Sequence, residues 1–403
     1  MEVFGKLPKK LNSEMLFALA FMSLVISRVL FGSTHLGDLL GEGVVNALSN
    51  VFLLVSFGLL AGVAYRYQYP KQGLVQLILA FGVVSLSYLT SRASNLFVTV
   101  VFLYYADVVI DRKRFVKFFS KFYLGIILFV AALSVTGLRD MNVKQRSTLD
   151  AMGYSLGFGH ANQVAIIIFS ILCIIFSLAM DRRSLDKLWV YLGASVLTAI
   201  TFLITKSLTF LALCGLLIGS SFCYDAILSK IRLPQKQAQR FIRLGLLMLA
   251  AFAALFVVYF WKRPYMLKGS LVTFRARFVL SQKYINAYGI KLFGSQITLG
   301  DNVVIPGYPP GYYMLDNGYV RLPVEYGLLA SLLVFYMLFR IIRNLINEAK
   351  WQLLIIMVCL LLYFFNEWKI VVLFYSPFWI LMRPYMNSKR NRRFDILNYL
   401  FHD

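Results

Sequence analysis

Long apolar runs recur along the whole chain, and short polar, basic or Gly- and Pro-containing segments separate them. Each run approaches the roughly 20 residues that a helix needs to cross the hydrocarbon core of a bilayer. The sequence therefore predicts about twelve membrane-spanning helices, and so an all-α, polytopic integral membrane protein. The predicted spans are residues 13–31, 44–64, 73–90, 94–110, 118–137, 161–180, 188–204, 207–224, 244–261, 322–339, 351–366 and 369–384.

The composition agrees with lipid as the main solvent of this chain. Hydrophobic residues make up 60% of the sequence, charged residues make up only 15%, and the mean hydropathy is +0.72. A soluble protein of this size needs a larger polar fraction to cover its surface. The apolar spans also contain or border all four cysteines, which we expect to be buried apolar side chains: Cys173, Cys214, Cys223 and Cys359. The three histidines are too scattered to form a metal site, so no metal or other cofactor is expected.

The basic residues divide unevenly between the two sides that these spans define. With the N-terminus in the cytoplasm, 26 of the 41 lysines and arginines fall in cytoplasmic segments, 14 fall outside, and Arg28 lies within the first span. Because Lys and Arg in short loops are retained on the cytoplasmic side, both termini are predicted to be cytoplasmic. The net charge of +23 then mostly faces anionic headgroups, so membrane lipids are the expected partner and nucleic acid is not.

One outer segment, residues 262–320, is long, basic and aromatic, and it divides the chain into three parts. Residues 1–261 carry about nine spans, and residues 321–403 carry the last spans and a basic tail. Aromatic rings stack on sugars, and arginine forks hold phosphate oxygens, so Arg275 and Arg277 are candidate phosphate ligands. The alternative is a solvated basic loop that contacts lipid headgroups.

The interior of this outer segment predicts two kinds of structure. Residues 270–290 place Leu271, Phe274, Phe278 and Ile285 at roughly helical spacing, which predicts an amphipathic helix at the membrane surface. The stretch 305–311 is expected to be irregular, because its two prolines lack backbone donors.

A second outer segment, residues 138–160, is basic and precedes an apolar run. Its Gly-rich end leads into His160 and Asn162 at a predicted helix start, where free backbone donors favour an anion. His160 could equally be a structural hydrogen-bonding residue. Lys206 and Arg28 lie within or near spans, where a cation faces a polar cavity or an acidic partner; Arg28 could instead reach the membrane interface.

Three short motifs in this order resemble the Wzy-type polymerases of bacterial capsule, exopolysaccharide and O-antigen synthesis, which are related to the O-antigen ligases. The motifs are Arg146 followed by Ser155-Leu-Gly-Phe-Gly-His160-Ala-Asn162, Arg277 followed by Leu292-Phe293-Gly294, and Leu315-Asp316-Asn317-Gly318-Tyr319 followed by Glu325-Tyr326-Gly327. One element departs from the family pattern. Related chains carry T-x-S-R-T where this chain has Thr205-Lys206-Ser207-Leu208-Thr209, and Lys206 cannot form the bidentate fork of an arginine.

The resemblance implies a metal-independent glycosyl transfer at the outer face of the bacterial cytoplasmic membrane. A growing glycan would leave its undecaprenyl pyrophosphate carrier and join a new lipid-linked repeat unit. The implied pyrophosphate and sugar ligands are Arg146, Asn162, Lys206, Arg275, Arg277, Asn317 and Tyr319. Asn317 and Tyr319 could instead hold the loop. His160 and Asp316 are the two candidate bases, although Asp316 could instead form a turn before Gly318.

Partners and rival functions follow from the same resemblance. A chain-length regulator and a flippase are the protein partners that it implies. An O-antigen ligase would use the same residues on a different acceptor. A lipid-linked oligosaccharide flippase would also be polytopic and basic inside, but we would then expect repeat symmetry and charged or broken helices at mid-membrane.

Overall fold

The structure, a computed structural model, describes residues 9–66, 71–136, 143–146, 151–179, 184–227, 234–268 and 272–386. About 80% of the chain is helical, so the helical prediction is confirmed. The helices are α1 Lys9–Val25, α2 Leu36–Leu40, α3 Glu42–Arg66, α4 Lys71–Ser91, α5 Ser94–Tyr105, α6 Arg112–Val135, α7 Ala161–Ala179, α8 Ser184–Thr205, α9 Leu208–Ala226, α10 Gln235–Lys262, α11 Val272–Tyr288, α12 Gly318–Arg321, α13 Leu328–Asn347, α14 Trp351–Asn366 and α15 Phe378–Met386.

Within the described residues, eight helices are long and apolar enough to cross a membrane. They comprise Ser13–Phe31, Glu42–Arg66, Arg112–Val135, Ala161–Ala179, Asp186–Thr205, Leu208–Ala226, Gln235–Lys262 and Leu328–Asn347. Shorter apolar helices are Ile78–Ser91, Ser94–Val108 and Trp351–Asn366. Each of the first eleven predicted spans thus overlaps a helix, while the total of twelve crossings stays a prediction.

The helix α10 has the surface expected of a protein that lies in lipid. It contains a strongly apolar stretch of 18 residues, yet none of the 28 residues of the helix is buried by the rest of the chain. In water, an exposed apolar surface of this extent would drive association or aggregation. Hydrocarbon removes that penalty, so α10 suits a membrane-embedded protein.

The central core is built from α1, α5 and α6, which pack through phenylalanine rings. Phe17 and Phe21 of α1 lie with their ring centroids 5.9 Å from Phe102 and 4.7 Å from Phe119, respectively. All four side chains are fully buried. Beyond Val25, α1 continues as a π-helical turn, Ile26–Phe31, which places Arg28 near the end of the bundle.

Three of the four cysteines are buried, as the apolar spans predict. Cys173, Cys214 and Cys359 lie inside the core, and all four thiols are free. Cys223 is exposed, which corrects the expectation for that residue. It lies near the end of α9.

The last predicted span, residues 369–384, is not a single helix. After α14 the chain forms a 3-10 helix, Trp368–Val371, then runs without regular structure to Pro377 before α15 begins. Non-helical backbone is tolerated at membrane depth only where protein or a polar cavity surrounds it. Residues 372–376 are all buried, which meets this condition.

Side chains from neighbouring helices satisfy the backbone of this interrupted segment. Tyr123 donates to the carbonyl oxygen of Phe374 at 2.6 Å, and the backbone N–H of Leu373 donates to Thr99 at 3.2 Å. The sequence is apolar throughout this stretch, so hydropathy alone reads it as a helix. The polar partners lie on other helices, and only the folded chain brings them together.

Two antiparallel hairpins were not predicted. β1, Val143–Arg146, pairs with β2, Ala151–Tyr154, and β3, Gly300–Ile305, pairs with β4, Tyr308–Tyr313. The expectation that residues 305–311 are irregular is wrong, because the two prolines lie within β4. A two-stranded sheet has only edge strands, so a residue without an N–H donor is accommodated there.

The helix predicted within the outer segment is present as α11, but its packing face differs from the predicted one. Phe278 and Tyr284 are buried, and Phe274 stacks on Phe365 of α14 with ring centroids 5.8 Å apart. Ile285 is only half-buried, and Leu271 lies outside the described residues. The helix is therefore fixed against the protein by aromatic contacts.

Candidate functional site

Six charged side chains from distant parts of the chain gather between α11, α12 and the end of α14. We call them the charged cluster: Arg277, Asp316, Arg321, Glu325, Glu367 and Lys369. Hydrophobic residues normally fill such a place, because taking charges out of water is costly and pairing them often does not recover that cost. A group of this size is therefore more readily explained by function than by stability.

The first pair of the charged cluster joins two residues that the sequence singled out. The guanidinium of Arg277 donates to the carboxylate of Asp316, and their side chains are 13% and 19% exposed. Burial opposes ionisation of Asp316, but Arg277, Lys369 and Arg321 outweigh it and hold the pKa of its carboxyl below the usual value. Burial also opposes the charge of Arg277, but Asp316 and Glu367 outweigh it and raise the pKa of the guanidinium. Both groups are therefore held in their charged forms.

The second pair is formed by Arg321 and Glu325, one helical turn apart. Arg321 donates from Nε to one carboxylate oxygen at 2.5 Å and from Nη2 to the other at 3.2 Å. Its guanidinium also lies over the ring of Trp368, 4.0 Å from the centroid. A bidentate fork of this kind fixes geometry as well as charge. Arg321 therefore anchors α12 to the segment that follows α14.

Glu367 differs from the other carboxylates of the charged cluster. It is 6% exposed, and its Oε1 atom has no hydrogen-bond partner among the described residues. Burial, and then the charge of Asp316, raise the pKa of its carboxyl to about 7. The neighbouring residues Asn366 and Trp368 each carry a buried polar atom that likewise lacks a partner there. Unsatisfied buried groups are rare, and three in succession indicate a place for a polar ligand.

Sequence reasoning missed Glu367. It lies in the short connection between the predicted spans 351–366 and 369–384, where the sequence predicts a loop. One signal was present, since a carboxylate at the end of an apolar span is unusual.

His160 lies at the start of α7 within a tight turn. Gly157 has a φ of +80°, and a side chain there would clash with Ser134. The backbone N–H of Gly159 donates to the Ser33 carbonyl at 2.9 Å, which ties the turn to the end of α1. This arrangement places His160 near Asp316, and in its protonated form the imidazole would add to the cations that lower the pKa of that carboxyl. The structure thus brings His160, Arg277 and Asp316 to one place.

The ring of His160 has a defined hydrogen bond. Its Nδ1 accepts from the backbone N–H of Asn162 at 3.1 Å, an arrangement that caps the first turn of α7. An acceptor nitrogen carries no proton, so the neutral ring holds its proton on Nε2. This contact supplies a structural role for Asn162, whose backbone orients the imidazole.

A polar chain extends from the charged cluster to Arg28. The Lys369 ammonium lies 5.4 Å from the centroid of Tyr375, whose hydroxyl is hydrogen-bonded to Ser33 at 2.5 Å. Ser33 also donates to the backbone carbonyl of Arg28, and the Arg28 side chain donates to Ser94 at 3.0 Å. Arg28 thus contacts hydroxyl groups beside the site, which fits the expectation of a polar surrounding rather than that of an acidic partner.

The second and third motifs meet through their glycines. Gly294 and Gly327 have φ values of +87° and +90°, and an added Cβ on either would clash with the backbone of the other motif. The backbone N–H of Leu328 donates to the Lys291 carbonyl at 3.0 Å, and Thr90 of α4 donates to the carbonyl of Phe293. These glycines permit a close backbone crossing that fixes the outer segment to α4 and α13.

Asn317 and Tyr319, predicted as sugar ligands or as residues that hold the loop, make structural contacts. Asn317 accepts from the backbone N–H of Tyr319 at 3.1 Å, as an N-cap of α12. The Tyr319 hydroxyl donates to the Leu361 carbonyl at 3.0 Å, and its ring stacks on Phe335. These contacts fit a role in holding the loop, since they fix the segment that carries Asp316.

Three predicted cations are not brought into the charged cluster by any described side-chain contact. Arg275 is exposed, and residues two apart on a helix do not face each other, so it diverges from Arg277. Lys206 lies between α8 and α9 with φ of +50°, and its ammonium is 5.9 Å from the Phe202 centroid. Arg146 is in β1, and its side chain is outside the described residues.

Polar contacts between helix ends sort into two sets. Besides the charged cluster, a second set joins Arg383 of α15 to Asp107 at 2.7 Å, with Arg112 of α6 at 3.6 Å from the same carboxylate. The predicted topology puts Arg112 and Arg383 of this second set on the cytoplasmic side. It puts Arg277, Arg321 and Lys369 of the charged cluster on the outer side. In the described parts of the chain, no three His, Cys, Asp or Glu side chains converge to hold a metal ion.

Comparisons with protein-family models, with curated proteins and with solved structures returned no match. The class is therefore defined by geometry alone. The chain is a helical protein whose apolar helices suit a membrane, and the charged cluster lies at an end of the described bundle.

Proposed function

We propose that this protein polymerises undecaprenyl-pyrophosphate-linked oligosaccharide repeat units into a surface polysaccharide at the outer face of the bacterial cytoplasmic membrane. One observation carries the proposal. His160, Arg277 and Asp316, which come from three motifs up to 156 positions apart, lie together beside unsatisfied buried polar atoms. The assembled residues suit glycosyl transfer from a diphosphate.

The leaving group sets the main chemical demand. When the glycosyl–oxygen bond breaks, negative charge concentrates on the departing diphosphate, and preplaced cations stabilise it. Arg277 uses Nη1 for Asp316, while its buried Nε has no partner among the described residues and can donate to a phosphate oxygen. Lys369 and Arg28 add cations nearby, and Arg146, Arg275 and Lys206 remain proposed ligands for the rest of the carrier.

The rival functions make different demands on the same residues. A ligase would carry out the same transfer to another acceptor, and the site itself does not separate the two. A flippase would be favoured by interrupted helices, and the segment 367–377 is such an interruption. That segment, however, contributes Glu367 and Lys369 to the charged cluster at a helix end, where a transferase operating at the membrane surface needs them.

The glycan of cells that lack this chain distinguishes the three functions. For a polymerase we expect single repeat units on lipid carrier at the outer leaflet. Long polymer held on the carrier would indicate a ligase, and units trapped on the inner leaflet would indicate a flippase. Either outcome would overturn the proposal.

Complementation with variants then tests the site. His160→Ala should abolish polymer formation, and Arg277→Lys should sharply reduce it, because a single ammonium cannot reproduce the planar guanidinium, whose separate nitrogens reach Asp316 and a phosphate oxygen at once. Lys283→Arg, a change of the same kind on α11 at a cation that lies over the Tyr308 ring, serves as the control. Normal polymer with correctly inserted Arg277→Lys would remove that arginine from the diphosphate site.

A further inference from the structure

Two of the three carboxyl groups of the charged cluster differ in their hydrogen-bond partners. Asp316 is ion-paired with Arg277 and held ionised, while Glu367 has a buried oxygen without a partner among the described residues. Their segments are joined directly, since the backbone N–H of Trp368 donates to the Asp316 carbonyl at 2.9 Å. When the environments of two neighbouring carboxyl groups give them different pKa values, one commonly acts in acid–base catalysis and the other stabilises charge.

We propose that Glu367 is the general base that takes the proton from the acceptor hydroxyl during glycosyl transfer. The proposal rests on the polymerase function proposed above and adds a catalytic residue to it. Asp316 then serves as a positioning residue that orients Arg277. His160 serves as a hydrogen-bond donor.

Geometry argues against the two bases that residue type suggested. A carboxylate that already accepts from an arginine is a weaker base than one without a partner, which disfavours Asp316. The acceptor lone pair of His160 lies on Nδ1, where the N–H of Asn162 occupies it at 3.1 Å. In the neutral ring Nε2 carries the proton, so that atom can donate to a phosphate or sugar oxygen but cannot accept a proton.

The step balances without a further reagent. The acceptor oxygen attacks the anomeric carbon as its proton moves to the Glu367 carboxylate. The bond between that carbon and the diphosphate oxygen breaks, and the electron pair leaves with the diphosphate. Glu367 then returns its proton to solvent or to the departing diphosphate.

The pKa of the Glu367 carboxyl is set by its burial and by the charged groups around it. The charged groups that face it are Asp316, Arg277 of α11, Arg321 of α12, and Lys369 from its own segment. Burial and Asp316 raise the pKa to about 7, which is near the value that best serves a general base at physiological pH. Since the base acts in its ionised form, the transfer rate should increase as the pH rises through about 7, and it should be low at more acidic pH.

The test uses the full chain in membrane vesicles, with lipid-linked glycan extracted from cells that lack this chain as the substrate. We compare wild type with Glu367→Gln, Glu367→Asp and the matched control Glu348→Gln, which makes the same chemical change at an exposed site at the end of α13. General-base catalysis contributes about 10²- to 10⁴-fold to a rate, so Glu367→Gln should lower kcat at least about 100-fold with little change in KM.

The pH profile separates catalysis from structure. Wild type and Glu348→Gln should share a profile that rises near neutrality, Glu367→Asp should retain a carboxylate-dependent rise at a shifted pH, and Glu367→Gln should lose the rise. If Glu367→Gln keeps the wild-type rate or the wild-type profile, the inference is wrong while the polymerase function stands. If wild type itself forms no polymer, the proposed function fails. Should Glu367→Gln not insert, a Glu367→Asp profile identical to wild type would overturn the inference.

Discussion

The two ends of the helical bundle each bury arginine beside carboxylate, but they do so differently. At one end Arg383, which is 4% exposed, and Arg112 converge on Asp107, and this group ties α15 to the turn between α5 and α6. At the other end the charged cluster holds two complete pairs and then adds Glu367 and Lys369.

The difference between the two ends helps to distinguish charged groups that stabilise the fold from charged groups that take part in function. At the Asp107 end both carboxylate oxygens lie beside an arginine, and the side-chain atoms of this group without a described partner are donors, the Nε atoms of Arg112 and Arg383. In the charged cluster the atoms without a described partner include an acceptor, Oε1 of Glu367, as well as a donor, Nε of Arg277. A buried carboxylate oxygen and a buried guanidinium nitrogen that are both unsatisfied can together take up a proton and bind an anion, which indicates a ligand or a reaction at this end.

The largest effect should come from breaking the structural group. Asp107→Ala leaves the buried Arg383 without its carboxylate, which should cost about 3 to 5 kcal/mol of unfolding free energy. Thermal unfolding of the purified protein in detergent measures the loss. Polymer formed per folded molecule should stay at the wild-type level, and a selective loss of activity would mean that the two ends are not functionally distinct.

At the charged cluster we expect the reverse, a loss of activity with little loss of stability. Arg277→Met combined with Asp316→Leu replaces a buried ion pair by apolar side chains of similar size, and such replacements are often neutral for stability. Activity should still fall by about 10²- to 10³-fold, the usual effect of removing one electrostatic donor. The same assay of Arg277→Met alone is the control, and it should be both inactive and less stable. Retained activity in the double variant would show that the Arg277–Asp316 pair has no functional role.

Much of this fold could be predicted because run length and apolarity set helix position. Arg277 and His160 are candidates by residue type and position, Asp316 becomes one through the family resemblance, and the structure places the three together. The break after α14 could not be found, because its residues are as apolar as a helix and its backbone partners, such as Thr99, lie far away in sequence. Glu367 was missed for a related reason, since its burial depends on α11 and α12 packing over the end of α14.

A smaller effect tests whether the backbone crossing supports the charged end. Gly294→Ala adds a side chain at positive φ and against the Glu325 carbonyl, which should cost roughly 2 to 4 kcal/mol. Gly193→Ala in α8 is the matched control, because no atom lies within 4 Å of an added Cβ, and it should be neutral or slightly stabilising. Equal unfolding temperatures for the two variants would show that the crossing does not hold this end together.

The smallest effect separates capping from substrate binding at Asn317. Asn317→Ala removes the cap of α12 and should cost about 1 kcal/mol. Asn317→Ser keeps a capping oxygen but removes the amide, which donates to the Ser281 hydroxyl at 3.4 Å, so if the role is structural it should retain polymer formation and be more stable than Asn317→Ala. Unfolding temperature and polymer length measured on both variants give the answer. An Asn317→Ser protein that is stable but makes shorter polymer would place the amide on the substrate, because only then does losing it affect transfer without affecting the helix.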